Sequence, residues 1–109
     1  MNASESKVSA DDAPLGADGQ LYLAAGDRVA LRMWRDETPA EAKRPSTRDY
    51  ETVGYVIEGT ADLHVDGKTI KLRKGDSWCI PAGVEHRYDI LETFSAIEAT
   101  APPARVSGA

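Results

Sequence analysis

The sequence is poor in cysteine, in aromatic residues and in long apolar runs. It has one cysteine, Cys79, so no intramolecular disulfide can form, which is typical of a reducing compartment. No run approaches the roughly 18 apolar residues that a membrane span requires. The polar, acidic stretch 1–12 lacks the apolar core of a secretory signal. We therefore expect a cytoplasmic protein.

Basic residues are also scarce, with 13 Lys and Arg against 18 Asp and Glu, which gives a net charge of −5. An acidic chain lacks the basic stripe that nucleic-acid binding requires, and anionic membranes repel it. We expect neither nucleic acid nor membrane as a partner. The 109 residues, of which 41% are hydrophobic, suffice for one domain with a modest core.

Several common functional motifs are missing. The sequence contains neither of the glycine-rich phosphate-binding patterns, G-x-x-x-x-G-K and G-x-G-x-x-G. A single cysteine also excludes zinc sites that are built on paired cysteines. These absences remove several classes of nucleotide-dependent enzyme.

The apolar residues that are present recur with period two, which is typical of strands. Val29, Leu31 and Met33 alternate with Arg28, Ala30 and Arg32, as in a half-buried strand. Further runs at 52–58, 61–65, 77–80, 86–91 and 94–100 are separated by turn signals, and Asp66-Gly67 is a strong hairpin signal. About seven short strands with little or no helix predict an all-β sandwich or barrel.

The ends of the chain differ from this middle part in composition. Residues 1–19 are rich in Ser, Ala, Asp and Gly, and we interpret them as a flexible N-terminal arm. Residues 102–109 begin with Pro-Pro and are interpreted as a C-terminal tail. The predicted barrel therefore spans residues 20–101.

One segment resembles a known family. Residues 50–90 read YETVGYVIEGTADLHVDGKTIKLRKGDSWCIPAGVEHRYDI. The second motif of the cupin superfamily, G-x5-P-x-G-x2-H-x3-N, is similar to Gly75, Pro81, Gly83 and His86, with Ile90 at the Asn position. Gly54 to Gly59 resembles the end of the first motif. The resemblance is to small, single-domain, RmlC-like cupins, and it implies a jelly-roll barrel (a double-stranded β-helix) that forms a homodimer.

In that family a divalent metal is bound by two histidines and a carboxylate of the first motif and by the histidine of the second. The corresponding first-motif positions here are occupied by Ser46, Arg48, Tyr50 and Thr52, which are poor ligands. Only His86 is retained. Glu51 would face the opposite side of its strand unless a bulge shifted the register. We therefore expect no cofactor, with a divalent metal on His86 as the alternative.

The resemblance places these positions and His86 together in the barrel lumen. The predicted ligand-binding residues are Arg48, Tyr50, Thr52, His86, Trp34 and Trp78. An Arg beside a hydroxyl and an imidazole suits a carboxylate or phosphate. The alternatives are that His86 is packed in the barrel and bonded to Tyr50 or Thr52, and that both tryptophans pack in the core.

Three functions follow from these expectations. The first is a binding module for a small anionic or sugar-like molecule, without the full metal site of the family. The second is an enzyme, either an isomerase or lyase or a metal-dependent oxygenase, with His86 as general acid or base, Tyr50 as proton donor and Arg48 holding the anion. The third is an interaction role in which dimerisation is the main event.

Overall fold

In a computed structural model of the chain, residues 6–40 and 45–104 are described. Within them the only helical element is a 3-10 turn, Ala10–Asp12, so the all-β prediction is confirmed. The strands are β1 (Leu21–Ala25), β2 (Ala30–Glu37), β3 (Glu51–Val65), β4 (Lys68–Arg73), β5 (Ser77–Ile80) and β6 (His86–Ala101). No helix of the described part is long and apolar enough to cross a bilayer. Cytoplasmic location stays a prediction.

All strand pairs are antiparallel, in the order β1-β2-β6-β3-β4, with β5 also paired to β3. The sheet folds around a core of inward-facing side chains from β3, β4, β5 and β6, as in a jelly-roll barrel. This core consists of Val56, Ala61, Leu63, Val65, Leu72, Trp78, Ile80, Phe94 and Ala96.

The two longest strands each join two strands that the sequence pattern predicts separately. β3 and β6 have 15 and 16 residues, and their pairing shifts register between Val56 and Ala61. Gly59 lies within this irregular stretch at φ 84°, where a Cβ atom would come within 2.0 Å of the Thr93 carbonyl oxygen. A bulge with glycine at its centre bends both strands without ending them. Gly59 is therefore a bend within a strand rather than a turn between strands.

The buried face of β2 is the opposite of the one that its apolar residues favour. Leu31 and Val29 are 39% and 50% exposed, whereas Ala30 and Arg32 are 4% and 8% exposed. The alternation of apolar and polar residues alone does not determine which face of a strand is buried when both faces can pack against other side chains. Here the inward face receives Arg32 because an acidic partner lies opposite it.

The predicted arm and tail fall partly outside the described residues, namely at 1–5 and 105–109. Closer to the barrel, Leu15 forms a β-bridge with Leu21, and the backbone N–H of Tyr22 donates to the Pro14 carbonyl. Ala104 is buried, and its N–H donates to the Thr100 hydroxyl. The domain boundaries at 19/20 and 101/102 stay predictions.

The outer face of the sheet carries an uncharged patch, which we call the outer apolar face. It consists of two rows of cross-strand neighbours on β2, β6, β3 and β5: Leu31, Ala99, Val53 and Cys79, then Met33, Ile97, Tyr55 and Ser77. Val53 and Tyr55 at its centre are about half exposed. In a chain with 28% charged residues, a contiguous patch without charge is typical of a protein interface.

We propose that the outer apolar face pairs two copies of the chain. Tyr55→Glu would place a charge at its centre. In light scattering at micromolar concentration we expect the wild type to run as a dimer and this variant as a monomer. Leu15→Glu is the matched control, since Leu15 is exposed but lies outside the face. A monomeric wild type, or a Tyr55→Glu variant that stays dimeric, would contradict the proposal.

Candidate ligand site in the barrel lumen

A buried ion pair links β2 and β6 inside the barrel. Arg32 and Glu98 are cross-strand neighbours, and the Arg32 Nε–H donates to Glu98 Oε1 at 2.7 Å. Glu98 is 1% exposed. Trp34, two residues after Arg32 on the same face of β2, donates its indole N–H to the same oxygen at 2.8 Å. Period two thus brings both β2 donors to one carboxylate.

The Arg32 guanidinium lies near two aromatic rings. Its central carbon is 5.8 Å from the Trp34 ring centroid and 5.5 Å from that of Tyr50, both within cation–π range. Nη1 also donates to the Tyr50 hydroxyl at 3.1 Å. Burial lowers the pKa of Arg32, but Glu98 and Tyr50 more than offset this, and the net pKa is raised. Arg32 is therefore a permanent, fixed cation.

Tyr88 connects the other oxygen of Glu98 to Trp78 on β5. Its hydroxyl donates to Glu98 Oε2 at 3.2 Å and accepts from the Trp78 indole N–H at 3.1 Å. Burial, together with the negative charge of Glu98, raises the pKa of Tyr88 well above its usual range. The hydroxyl therefore stays protonated, as its role of donor requires.

The position of Trp78 depends on Gly54. These two residues are cross-strand neighbours on β5 and β3, and a Cβ atom at Gly54 would lie 2.3 Å from the Trp78 ring. Glycine at this position lets the indole lie flat against the strand and reach Tyr88. We call the resulting set the lumen cluster. It consists of Arg32, Trp34, Tyr50, Trp78, Tyr88 and Glu98.

Three neighbouring aromatic side chains of the site, Trp34, Tyr88 and His86, are partly exposed, and we call them the mouth of the lumen. The His86 ring packs edge-on against Tyr88, with ring centroids 6.0 Å apart. His86 Nδ1 lies 3.0 Å from the Val84 carbonyl oxygen, which can only accept, so Nδ1 carries the proton. In the neutral ring Nε2 then carries a lone pair. A separate cavity of 270 Å³ lies beside the Asp66-Gly67 turn, and it is lined by His86 but by no residue of the lumen cluster.

The structure distributes the predicted ligand-binding residues unevenly. Trp34, Tyr50 and Trp78 belong to the lumen cluster, and Thr52 is buried on the inward face of β3. Arg48 is not brought to them by any contact among the described residues. Its side chain bonds to the Thr47 carbonyl at 3.5 Å, near the surface.

The predicted catalytic pair, His86 and Tyr50, is also not joined by a described contact. The tyrosine that packs against His86 is Tyr88. Tyr50 instead bonds to Arg32 and packs with Tyr22 and Ala104 in a second small apolar cluster.

The residues do not fit the metal site of the fold family. β3 pairs regularly with β6 from Glu51 to Val56, so no bulge turns Glu51 inward, and its side chain is exposed. The carboxylate that does enter the lumen, Glu98, is bound to Arg32. Among residues 6–40 and 45–104 no three His, Cys, Asp or Glu side chains converge to hold an ion. A fixed guanidinium would also repel a divalent cation.

Sequence reasoning missed three residues of the site: Arg32, Tyr88 and Glu98. For Tyr88 a signal was present, because it follows His86 by two residues and period two places both on one face. Glu98 stands between Ile97 and Ala99 in an apolar strand, and Arg32 stands between Leu31 and Met33. Each is the single charged residue of a short apolar run, 30–34 or 94–101. Opposite charges in two such runs are the pattern that indicates a buried pair.

Comparison with known proteins agrees with this architecture. The cupin domain family Cupin_2 matches residues 34–97. An RmlC-like cupin from Shewanella frigidimarina NCIMB 400 superposes with a TM-score of 0.81 at 23% identity, covering 98% of each chain. KdgF from Halomonas sp. gives 0.71 at 20% identity, covering 82% of this chain and 81% of that one.

A eukaryotic domain is similar as well. The cupin domain of Cnp3 from Schizosaccharomyces pombe gives a TM-score of 0.73 at 14% identity, covering 89% of this chain and 74% of that one. At such identities the likeness concerns the fold. No curated protein matches the chain significantly in sequence. The family match covers more than half of the 109 residues, so the chain belongs to the cupin domain family.

The buried pair predicts a characteristic pattern of stabilities. Arg32→Met or Glu98→Met alone leaves an unpaired buried charge, and each should lower the free energy of unfolding by about 3–5 kcal/mol. The double variant removes both charges and should recover most of that loss. Urea unfolding of the four proteins measures the coupling. Additive losses in the double variant would show that the two side chains do not interact.

Proposed function

We propose that this cupin binds a small sugar-like molecule at the mouth of its lumen, without a divalent metal. The observation that carries the proposal is the partly exposed pair Trp34 and Tyr88, both hydrogen-bonded to the buried Glu98. This arrangement fixes two aromatic rings around one polar centre. Small-ligand sites typically combine such apolar walls with a few oriented polar groups.

The chemistry of the mouth suits a polyhydroxylated ligand. A sugar presents C–H groups that pack on aromatic rings and hydroxyl groups that both donate and accept hydrogen bonds. His86 Nε2 can accept from a hydroxyl, because Nδ1 already donates to Val84. The mouth therefore offers apolar contact together with hydrogen bonding.

The anionic alternative has less support than the sugar-like one. It depended on Arg48, which lies near the surface, whereas the arginine in the lumen is already paired with Glu98. A paired guanidinium attracts an anion much less than a free one. A neutral ligand avoids that disadvantage.

Tryptophan fluorescence tests the proposal directly, because Trp34 and Trp78 are the only tryptophans and both lie in the lumen cluster. Titration with neutral pentoses and hexoses, D-glucose among them, should give a saturable change for at least one sugar below about 10 mM. Trp34→Ala should weaken that binding at least about tenfold through lost contact area. Val53→Ala, on the outer apolar face, is the control. No saturable change with any sugar would refute the proposal.

A second candidate function is an isomerase or lyase that uses His86. The observation that favours it is the lone pair on His86 Nε2 at a partly exposed position, which suits a general base. Tyr88, rather than Tyr50, is the hydroxyl beside it. In this case the base would remove a proton from a C–H group next to the ligand's carbonyl.

Deuterium exchange separates binding from this chemistry. If His86 is a base, the sugars that bind should exchange a C–H proton in D₂O in the presence of the wild type, as followed by proton NMR. His86→Ala should abolish exchange while changing affinity by less than about tenfold. Exchange that persists in His86→Ala would remove His86 from the mechanism, and its absence in the wild type would leave the binding module alone.

A further inference from the structure

We infer that Glu98 is the residue that determines the charge of the ligand: by neutralising Arg32 it makes the lumen select neutral molecules and reject acidic and basic ones. This inference rests on the proposed function, since it concerns the same site. Among the described residues, Arg32 and Glu98 are the charged side chains that are buried. The interior therefore contains one fixed charge of each sign.

The short separation of the two charges determines the electrostatic interaction between the pair and a charged ligand. The Arg32 Nε–Glu98 Oε1 distance is 2.7 Å, so a charged group at the mouth is attracted by one partner and repelled by the other over similar distances. Such a group still loses hydration when it enters, and the pair has no net charge that would offset this loss. A neutral hydroxyl loses little and can be hydrogen-bonded.

The carboxylate cannot turn away to release Arg32 to an incoming anion. Oε1 accepts from Arg32 and Trp34, and Oε2 accepts from Tyr88, so both oxygens are held from different strands. Tyr88 is itself held by Trp78. Exchange of Glu98 for a ligand carboxylate would break three hydrogen bonds at once. The counter-ion is therefore a permanent part of the site.

Variants that remove one charge of the pair at a time test the inference in both directions. Glu98→Gln keeps an amide oxygen for the donors but leaves Arg32 uncompensated, and Arg32→Gln leaves Glu98 uncompensated. The probes are D-glucose, D-glucuronate and D-glucosamine, with acetate and methylammonium as charged probes that lack a sugar. Isothermal titration calorimetry measures the affinity of each protein for each probe.

We expect the wild type to prefer glucose, Glu98→Gln to gain at least about tenfold in affinity for glucuronate and acetate, and Arg32→Gln to gain similarly for glucosamine and methylammonium. If Glu98 had a purely structural role, the Glu98→Gln substitution would weaken the binding of all probes alike. A wild type that binds glucuronate or acetate as tightly as Glu98→Gln, or a folded Glu98→Gln that binds neither, overturns the inference.

The outcomes also separate this inference from the proposed function. If Glu98→Gln gains acetate but no protein binds any of the sugars, the charge rule holds and the sugar proposal fails. If the wild type binds glucose and the variants show no change in charge preference, the sugar proposal holds and the charge rule fails. Should one variant fail to fold by near-UV circular dichroism, the other variant and the wild-type preference still decide, because equal wild-type affinities for glucose, glucuronate and glucosamine contradict the inference.

Discussion

The interior of this barrel depends on one ion pair, Arg32 with Glu98. Each ion would be strongly unfavourable in the core alone, so each requires the other. Together they fix neighbouring strands in register and orient the rings that surround them. Trp34, Tyr50 and Tyr88 have their positions because they bond to this pair. The shape of the mouth is thus a consequence of electrostatics in the interior.

The same pair supplies a fixed cation to the interior of this cupin. In the metal-binding cupins that the sequence resembles, the lumen is organised around a metal cation that is bound by side chains of several strands. Here a guanidinium on β2 contacts Glu98 of β6 and Tyr50, which directly precedes β3. An organic cation built into the chain needs no metal supply. Unlike a metal ion, it cannot act as a Lewis acid, which is consistent with a proposal of binding rather than metal-assisted chemistry.

Much of the fold could be predicted from the sequence, and much of the site could not. The Asp66-Gly67 hairpin and the inward positions of Leu63 and Val65 follow from turn chemistry and period two. The burial of Arg32 does not, because the opposite face of β2 is more apolar and only long-range pairing with Glu98 reverses the preference. Local patterns report local structure. A pair separated by 66 residues is visible only once the strands are assembled.

That separation has a consequence for how the chain folds. The β3–β4 hairpin closes over two residues, whereas β2 must find β6 across more than half of the sequence. Loop closure of this length is entropically costly, and topologies dominated by such contacts fold on the slow side, in milliseconds to seconds. We expect the hairpin to form early and the interior charges to meet late. Until then Arg32 and Glu98 remain hydrated, so we expect the proposed ligand site to form late in folding.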